Sequence, residues 1–231
     1  MDGKVHPSSD RRSPTEDCTV PNNVLRQTVI AVLCHPMLSL ITFELNGLRV
    51  TGLGYGLVRL AVESGKISCE VGVPQRASLP AGNIAAAQYD PQANQFRFPR
   101  ESFGSAIRSE QVAIVHEATH AQFDLAGPRQ GNYVLAVDDE AAAWLAESLF
   151  VRLAENNVGG TYVTGPIIEG SAESEALNLA DAILAETQGL MKGPRPYRVR
   201  RDAVARLRAA VARDYNFQGD HAGIKDIYDG V

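Results

Sequence analysis

The order of apolar and polar residues changes character about halfway along the chain. Up to about residue 100, β-branched and aromatic residues form short runs that turn-forming dipeptides separate. We predict three hairpins there, with turns at Asn46-Gly47, at Ser64-Gly65 and within segment 90–94. After residue 105, apolar residues recur every three or four positions, which indicates helices. The pattern therefore predicts a β-rich first half, with a twisted antiparallel sheet, and a helical second half.

Capping and helix-breaking residues set the expected helix boundaries. Asn22 and Asn23 are expected to cap a short helix that ends before Pro36. In the second half, helices are predicted over about 107–127, 138–157, 172–191 and 201–214. Residues 1–21 offer almost nothing to bury and are expected to form a flexible tail before a single domain, 22–231. Within it, residues 22–105 are expected to be mainly β and 106–231 mainly α, which is the α+β class.

The composition is that of an ordinary globular protein and argues against nucleic acid as a partner. The 231 residues are 45% hydrophobic and 21% charged, and the net charge is -5. An acidic chain does not bind nucleic acid through bulk charge. The basic stretch 192–213 is interpreted as the solvated face of a helix.

The N-terminal residues and the cysteines predict a cytoplasmic protein. The N-terminus lacks the apolar stretch of a signal peptide, and the most apolar run, 29–45, is interrupted by His35-Pro36. No membrane segment is therefore expected, although export by a machinery that needs no N-terminal signal is compatible with the sequence. Three cysteines without CxxC spacing are expected to be free thiols: Cys18, Cys34 and Cys69.

Candidate chemistry lies in the segment VHEATHAQFDLAG, residues 115–127, within a predicted helix. Positions i and i+4 share one helix face, so His116 and His120 can bind one metal ion. Glu117 lies about 100° further round the helix, where it can reach a water molecule on that ion. Catalytic zinc takes three protein ligands and lowers the pKa of its water, whose proton a carboxylate then accepts. This helix therefore offers two ligands and a general base.

The third ligand is expected from the next predicted helix, which begins with three acidic residues. Nineteen residues, 121–139, separate His120 from Glu140, enough for a loop and an antiparallel return. Glu140 is favoured because it begins an E-x-x-A pattern on one helix face, and Asp139 is the alternative. A different interpretation treats both histidines and these acids as polar surface on ordinary helices.

The run HEATHAQFD followed by DEAAA resembles the gluzincin branch of the zincin metallopeptidases, which includes the thermolysin family. The resemblance covers about residues 107–150. It implies a zincin-like fold, peptide-bond hydrolysis by a zinc-bound water that Glu117 activates, and one Zn²⁺ per chain. The ligands that it implies are His116, His120 and Glu140.

One position departs from that family. Four residues after the glutamate, thermolysin-like enzymes carry an aspartate that orients a zinc-binding histidine, whereas this chain has Trp144. Support for His116 is therefore expected from elsewhere, with Asp124, Asp138 or a backbone carbonyl as candidates.

The family also implies a donor that stabilises the oxyanion and a strand edge that pairs with the substrate. Tyr133 is the candidate donor because it lies between the two site helices, and His221 and Tyr162 are alternatives. Segment 95–100 or segment 85–89 could pair with an extended peptide, or both could form a plain core hairpin.

The sequence thus predicts a small zinc metallopeptidase that acts on a peptide or protein substrate. One alternative is a zincin-fold protein that binds zinc, catalyses nothing and recognises a partner. Another is a metal-free helical interaction domain. The presence of Glu117 favours the enzyme, because a non-catalytic protein has no chemical need for the base.

Overall fold

Helices and short strands alternate along the chain. The computed structural model describes residues 24–72, 87–126, 134–159, 161–162, 166–188, 195–214 and 225–226. The helices in these ranges are α1 (Val24–Leu33), α2 (Gly52–Ser64), α3 (Arg108–Leu125), α4 (Ala136–Val158), α5 (Ala172–Glu186) and α6 (Arg201–Asp214). The strands are β1 (Thr42–Leu45), β2 (Leu48–Thr51), β3 (Ser68–Val71), β4 (Gln88–Asp90), β5 (Gln95–Phe98), β6 (Val134–Leu135), β7 (Tyr197–Arg198) and β8 (Lys225–Asp226). The predicted α+β class is confirmed.

The strands form three small sheets. The first has the order β2-β1-β7, and the predicted hairpin turn at Asn46-Gly47 joins β1 to β2. Both turn residues have positive φ, 47° and 89°, which is what a tight two-residue hairpin turn requires. The second sheet has the order β3-β5-β4, and the predicted hairpin around segment 90–94 joins β4 to β5. A third sheet pairs β6 with β8.

The hairpin predicted at Ser64-Gly65 is wrong, because its incoming arm is the thirteen-residue helix α2. Thr51 caps the helix by accepting a hydrogen bond from the amide of Gly54, and Gly65 ends it with φ of 77°. The outgoing arm is a strand, β3, but it pairs in parallel with β5. The first half of the chain therefore contains a helix where the prediction placed a strand. With α1 and α2 in it, the described part of residues 22–105 is not mainly β, and its strands form small sheets with parallel as well as antiparallel pairs instead of one antiparallel sheet.

The predicted helices of the second half are present. The first, second and fourth end within two residues of their predicted limits, whereas α5 ends at Glu186, before the predicted limit of 191. The predicted tail 1–21 lies outside the described residues. None of the helices in the described ranges is both long enough and apolar enough to cross a membrane.

Helices α3 and α4 pack closely against each other in the core. Three consecutive alanines of α4, Ala141, Ala142 and Ala143, are completely buried, and such short side chains let helix axes approach. On the other side of α3, Gly54 brings the start of α2 against Gln122: a Cβ added at Gly54 would lie 2.0 Å from the Gln122 side-chain oxygen. That oxygen accepts a hydrogen bond from the Thr51 amide at 2.8 Å. The helix that carries both histidines is therefore packed on two sides.

Candidate metal centre

The structure brings together the side chains of His116, His120 and Glu140. One potential ligand atom from each lies within 4.8 Å of the others. The Nε2 of His116 is 3.3 Å from a carboxylate oxygen of Glu140, and the two imidazole centroids are 5.1 Å apart. All three side chains are nearly buried. The convergence arises because α3 presents residues four apart on one face and α4 begins against that face.

A carboxylate of α4 lies against the Nδ1 of each imidazole. The Nδ1 of His116 and a carboxylate oxygen of Glu147 are 2.9 Å apart and hydrogen-bonded. The Nδ1 of His120 is 2.9 Å from Asp139, although this contact is not aligned as a hydrogen bond. Contacts of this kind turn the Nε2 atoms towards the position that a metal ion could take.

The donor set fits a zinc ion. Among the described residues, the buried Nε2 of His120 has no hydrogen-bond partner. Leaving a buried polar atom without a partner is costly, and a metal bond to this nitrogen would remove the cost. Two imidazoles and one carboxylate are a common three-ligand set for catalytic zinc, which keeps a fourth position for water or substrate.

Electrostatics at the centre favour positive charge. Burial by itself would lower the pKa of His116, but hydrogen bonds to Glu140 and Glu147 and their charges raise it to about 10. Burial likewise opposes protonation of His120, yet the charge of Asp139 and nearby carboxylates raises its pKa. The negative charge that raises both pKa values would also favour a bound cation, which would compete with protons for the same nitrogens.

Glu117 is held beside this group by strand β4. One of its carboxylate oxygens accepts a hydrogen bond from the backbone amide of Tyr89 at 2.7 Å. The Tyr89 hydroxyl donates to Asp124 at 2.6 Å, one turn beyond His120 on the same helix. Tyr89 therefore fixes β4 on α3 at two points and sets the orientation of the Glu117 carboxylate.

Glu147 was not among the predicted partners of His116. Of the carboxylates that were, Asp124 binds Tyr89, and Asp138 contacts Asn46 at 3.0 Å and Arg208 at 2.8 Å. The ring of Trp144 packs nearly perpendicular to that of His116, with ring centroids 5.5 Å apart. The sequence carried one indication of Glu147: it lies seven residues after Glu140, on the same helix face.

The structure describes one of the three candidate oxyanion donors and both candidate substrate strands at least in part. Tyr133 and His221 lie outside the described residues. The ring of Tyr162 is buried against Phe150 and the guanidinium of Arg108. Arg108 begins α3, about two turns before His116. Strand β5, in segment 95–100, is paired on both sides and offers no edge to a peptide, whereas β4 is an outer strand of that sheet.

Basic residues of α6 contact polar groups of the same chain, and one of them, Arg213, donates to the backbone carbonyl of Gly170. Arg206 pairs with Asp202 and Glu175, and Arg208 contacts the buried Asp138. Arg201, Arg206 and Arg213 are exposed and Arg208 is half-buried, so this side of α6 is largely solvated, as predicted.

Comparison of the chain with protein-family models, with curated proteins and with solved structures finds no match.

Proposed function

We propose that the chain is a zinc-dependent metallopeptidase with a zincin-like fold. His116, His120 and Glu140 would hold one zinc ion. The observation that carries the proposal is the approach of their three donor atoms to within 4.8 Å, with a carboxylate against each outward imidazole nitrogen. An ordinary polar helix face does not need such a buried, carboxylate-lined pair of histidines.

The chemistry of peptide hydrolysis suits the residues around this centre. A bound zinc ion supplies a Lewis acid that polarises a carbonyl and lowers the pKa of water towards neutrality. Glu117 accepts the proton of the attacking water and later passes it to the leaving amine. The Tyr89 amide holds the Glu117 carboxylate in place during this transfer. Strand β4, an outer strand beside Glu117, is the edge along which an extended substrate would pair.

The first experiment measures metal content by elemental mass spectrometry. We expect about one zinc per wild-type chain by the usual count for such a site, and loss of zinc in His116→Ala, His120→Ala and Glu140→Ala. His35→Ala is the matched control, because it removes a histidine that does not belong to this group and instead accepts a hydrogen bond from the Met37 amide. A zinc-free wild-type protein after reconstitution would refute the proposal, and retention in Glu140→Ala would move the third ligand to Asp139.

The second experiment separates an enzyme from a zinc-binding recognition module. Glu117→Gln keeps the size of the side chain and removes the base, so hydrolysis of labelled casein or a peptide library should fall by about 10²–10⁴-fold while zinc stays bound. Glu155→Gln makes the same change on α4, where Glu155 pairs with Arg152 instead of the centre. Zinc binding without hydrolysis in the wild type would favour the recognition module.

A further inference from the structure

The carboxylate beside His116 comes from position 147, whereas position 144 holds a tryptophan. The ring of Trp144 lies nearly perpendicular to the imidazole of His116, with centroids 5.5 Å apart, and carries no acceptor for the imidazole proton. The carboxylate of Glu147 lies 2.9 Å from the Nδ1 of the same imidazole. Trp144 and Glu147 therefore contact the same imidazole, and of these two side chains Glu147 alone can accept the proton on Nδ1.

Helix geometry explains how a residue so far along α4 reaches His116. Glu147 lies seven residues after Glu140, and seven residues bring an α-helix back to within about 20° of the same face and roughly 10 Å further along the axis. The pairs His120 with Asp139 and His116 with Glu147 show that α3 and α4 run antiparallel, since the later residue of α4 meets the earlier histidine. Helical side chains lean towards the N-terminus, so the long Glu147 side chain reaches back to the centre.

We propose that Glu147 is a positioning residue of the metal centre. It accepts the Nδ1 proton of His116, which fixes the tautomer and the ring orientation so that Nε2 presents its lone pair to zinc. A carboxylate in this position also raises the basicity of the ligand nitrogen. The inference rests on the proposed zinc site and assigns Glu147 the task that an aspartate at position 144 has in the family that the sequence resembles.

The burial of Glu147 supports a specific task. Its side chain is only 12% exposed, and taking a carboxylate out of water disfavours its charge. A structural glutamate on this helix face could be replaced by an apolar residue without that cost. The hydrogen bond to His116 is the described contact that offsets it.

The test compares zinc affinity in Glu147→Gln, Glu147→Asp and Glu155→Gln, by competition with a chromophoric chelator. Loss of an outer carboxylate typically weakens metal binding by 10–100-fold. We expect about that loss in Glu147→Gln, an intermediate loss in Glu147→Asp, and wild-type affinity in Glu155→Gln. The visible absorption of the Co²⁺-substituted protein should shift in Glu147→Gln alone, because a purely structural role would leave the ligand field unchanged.

A second measurement needs no variant. In the zinc-loaded wild-type protein, long-range ¹H–¹⁵N spectra of the histidine side chains should show His116 bound to metal through Nε2, with a hydrogen-bonded proton on Nδ1. Coordination through Nδ1 would overturn the inference.

The outcomes separate the two proposals. Zinc binding in the wild type together with unchanged affinity and Co²⁺ spectrum in Glu147→Gln would overturn the role of Glu147 and leave the zinc centre standing. Failure of the wild type to bind zinc would overturn the zinc centre itself, and with it the proposed function.

Discussion

Replacing Gly54 by alanine should destabilise the protein, although alanine is the better helix former. The added Cβ would lie 2.0, 2.1 and 2.3 Å from Oε1, Cδ and Cγ of Gln122. Because the clash includes Cγ, rotating the terminal amide cannot relieve it. The whole Gln122 side chain must move, and the Thr51 amide then loses the acceptor that it contacts at 2.8 Å.

The opposing effects can be compared. Alanine for glycine inside a helix contributes about 0.5–1 kcal/mol. Overpacking a core contact costs about 1–3 kcal/mol, and loss of the hydrogen bond from the half-buried Thr51 amide costs about another 0.5–1.5 kcal/mol. The net loss is about 2 kcal/mol, which for a chain of this size lowers Tm by roughly 4–8 °C.

Calorimetry and urea unfolding would measure this loss, with Gly56→Ala as the matched control. A Cβ at Gly56 meets nothing within 4 Å among the described residues, so this variant should gain about 0.5–1 kcal/mol. In a Gln122→Ala background, Gly54→Ala should cost little, because the clashing side chain is gone. Equal stability of Gly54→Ala and Gly56→Ala in the wild-type background would refute the argument.

Three further predictions concern charges and the metal. Arg208→Ala should cost about 1–3 kcal/mol in urea unfolding because it leaves the buried Asp138 without its 2.8 Å partner, whereas Arg206→Ala on the exposed side should cost under about 1 kcal/mol; equal effects would contradict this. In metal-free protein, the raised pKa of His116 stabilises the fold fully below its ordinary value of 6.5, and this contribution is lost as pH rises towards about 10. Urea midpoints should therefore fall across that window in the wild type and fall less in His116→Gln. Zinc at 100 times its Kd should add about 2.7 kcal/mol to the free energy of unfolding, seen as a higher Tm that a chelator reverses; no shift would count against the site.

In the first half of the chain, the prediction and the structure differ over the role of a glycine. Gly47 and Gly65 both have positive φ, but the first forms a hairpin turn and the second ends a helix. A local turn pattern cannot distinguish these uses. The period of the preceding residues can: Tyr55, Val58 and Val62 are buried at helical spacing, and this outweighs the β preference of the two valines.

The contacts of His116 were likewise predictable from the sequence only in part. The approach of Glu140 to His116 follows from spacing within and between two helices, which a sequence displays directly. The contact of Glu147 with His116 depends on how far α4 slides along α3, and the buried alanines 141–143 set that register only in three dimensions. The prediction therefore named Glu140, which the structure brings to His116, and missed Glu147, which contacts the other nitrogen of the same ring.

The parallel pairing of β1 with β7 has a consequence for how the molecule is made. Phe43 pairs with Tyr197, so the two strands meet only after nearly the whole chain between them has left the ribosome. Contacts this distant in sequence carry a large loop-closure entropy and slow folding. Until then, one edge of β1 remains open beside its early-formed hairpin with β2, and open edges recruit other chains. Nascent chains that stall before residue 197 would therefore expose this strand edge to aggregation.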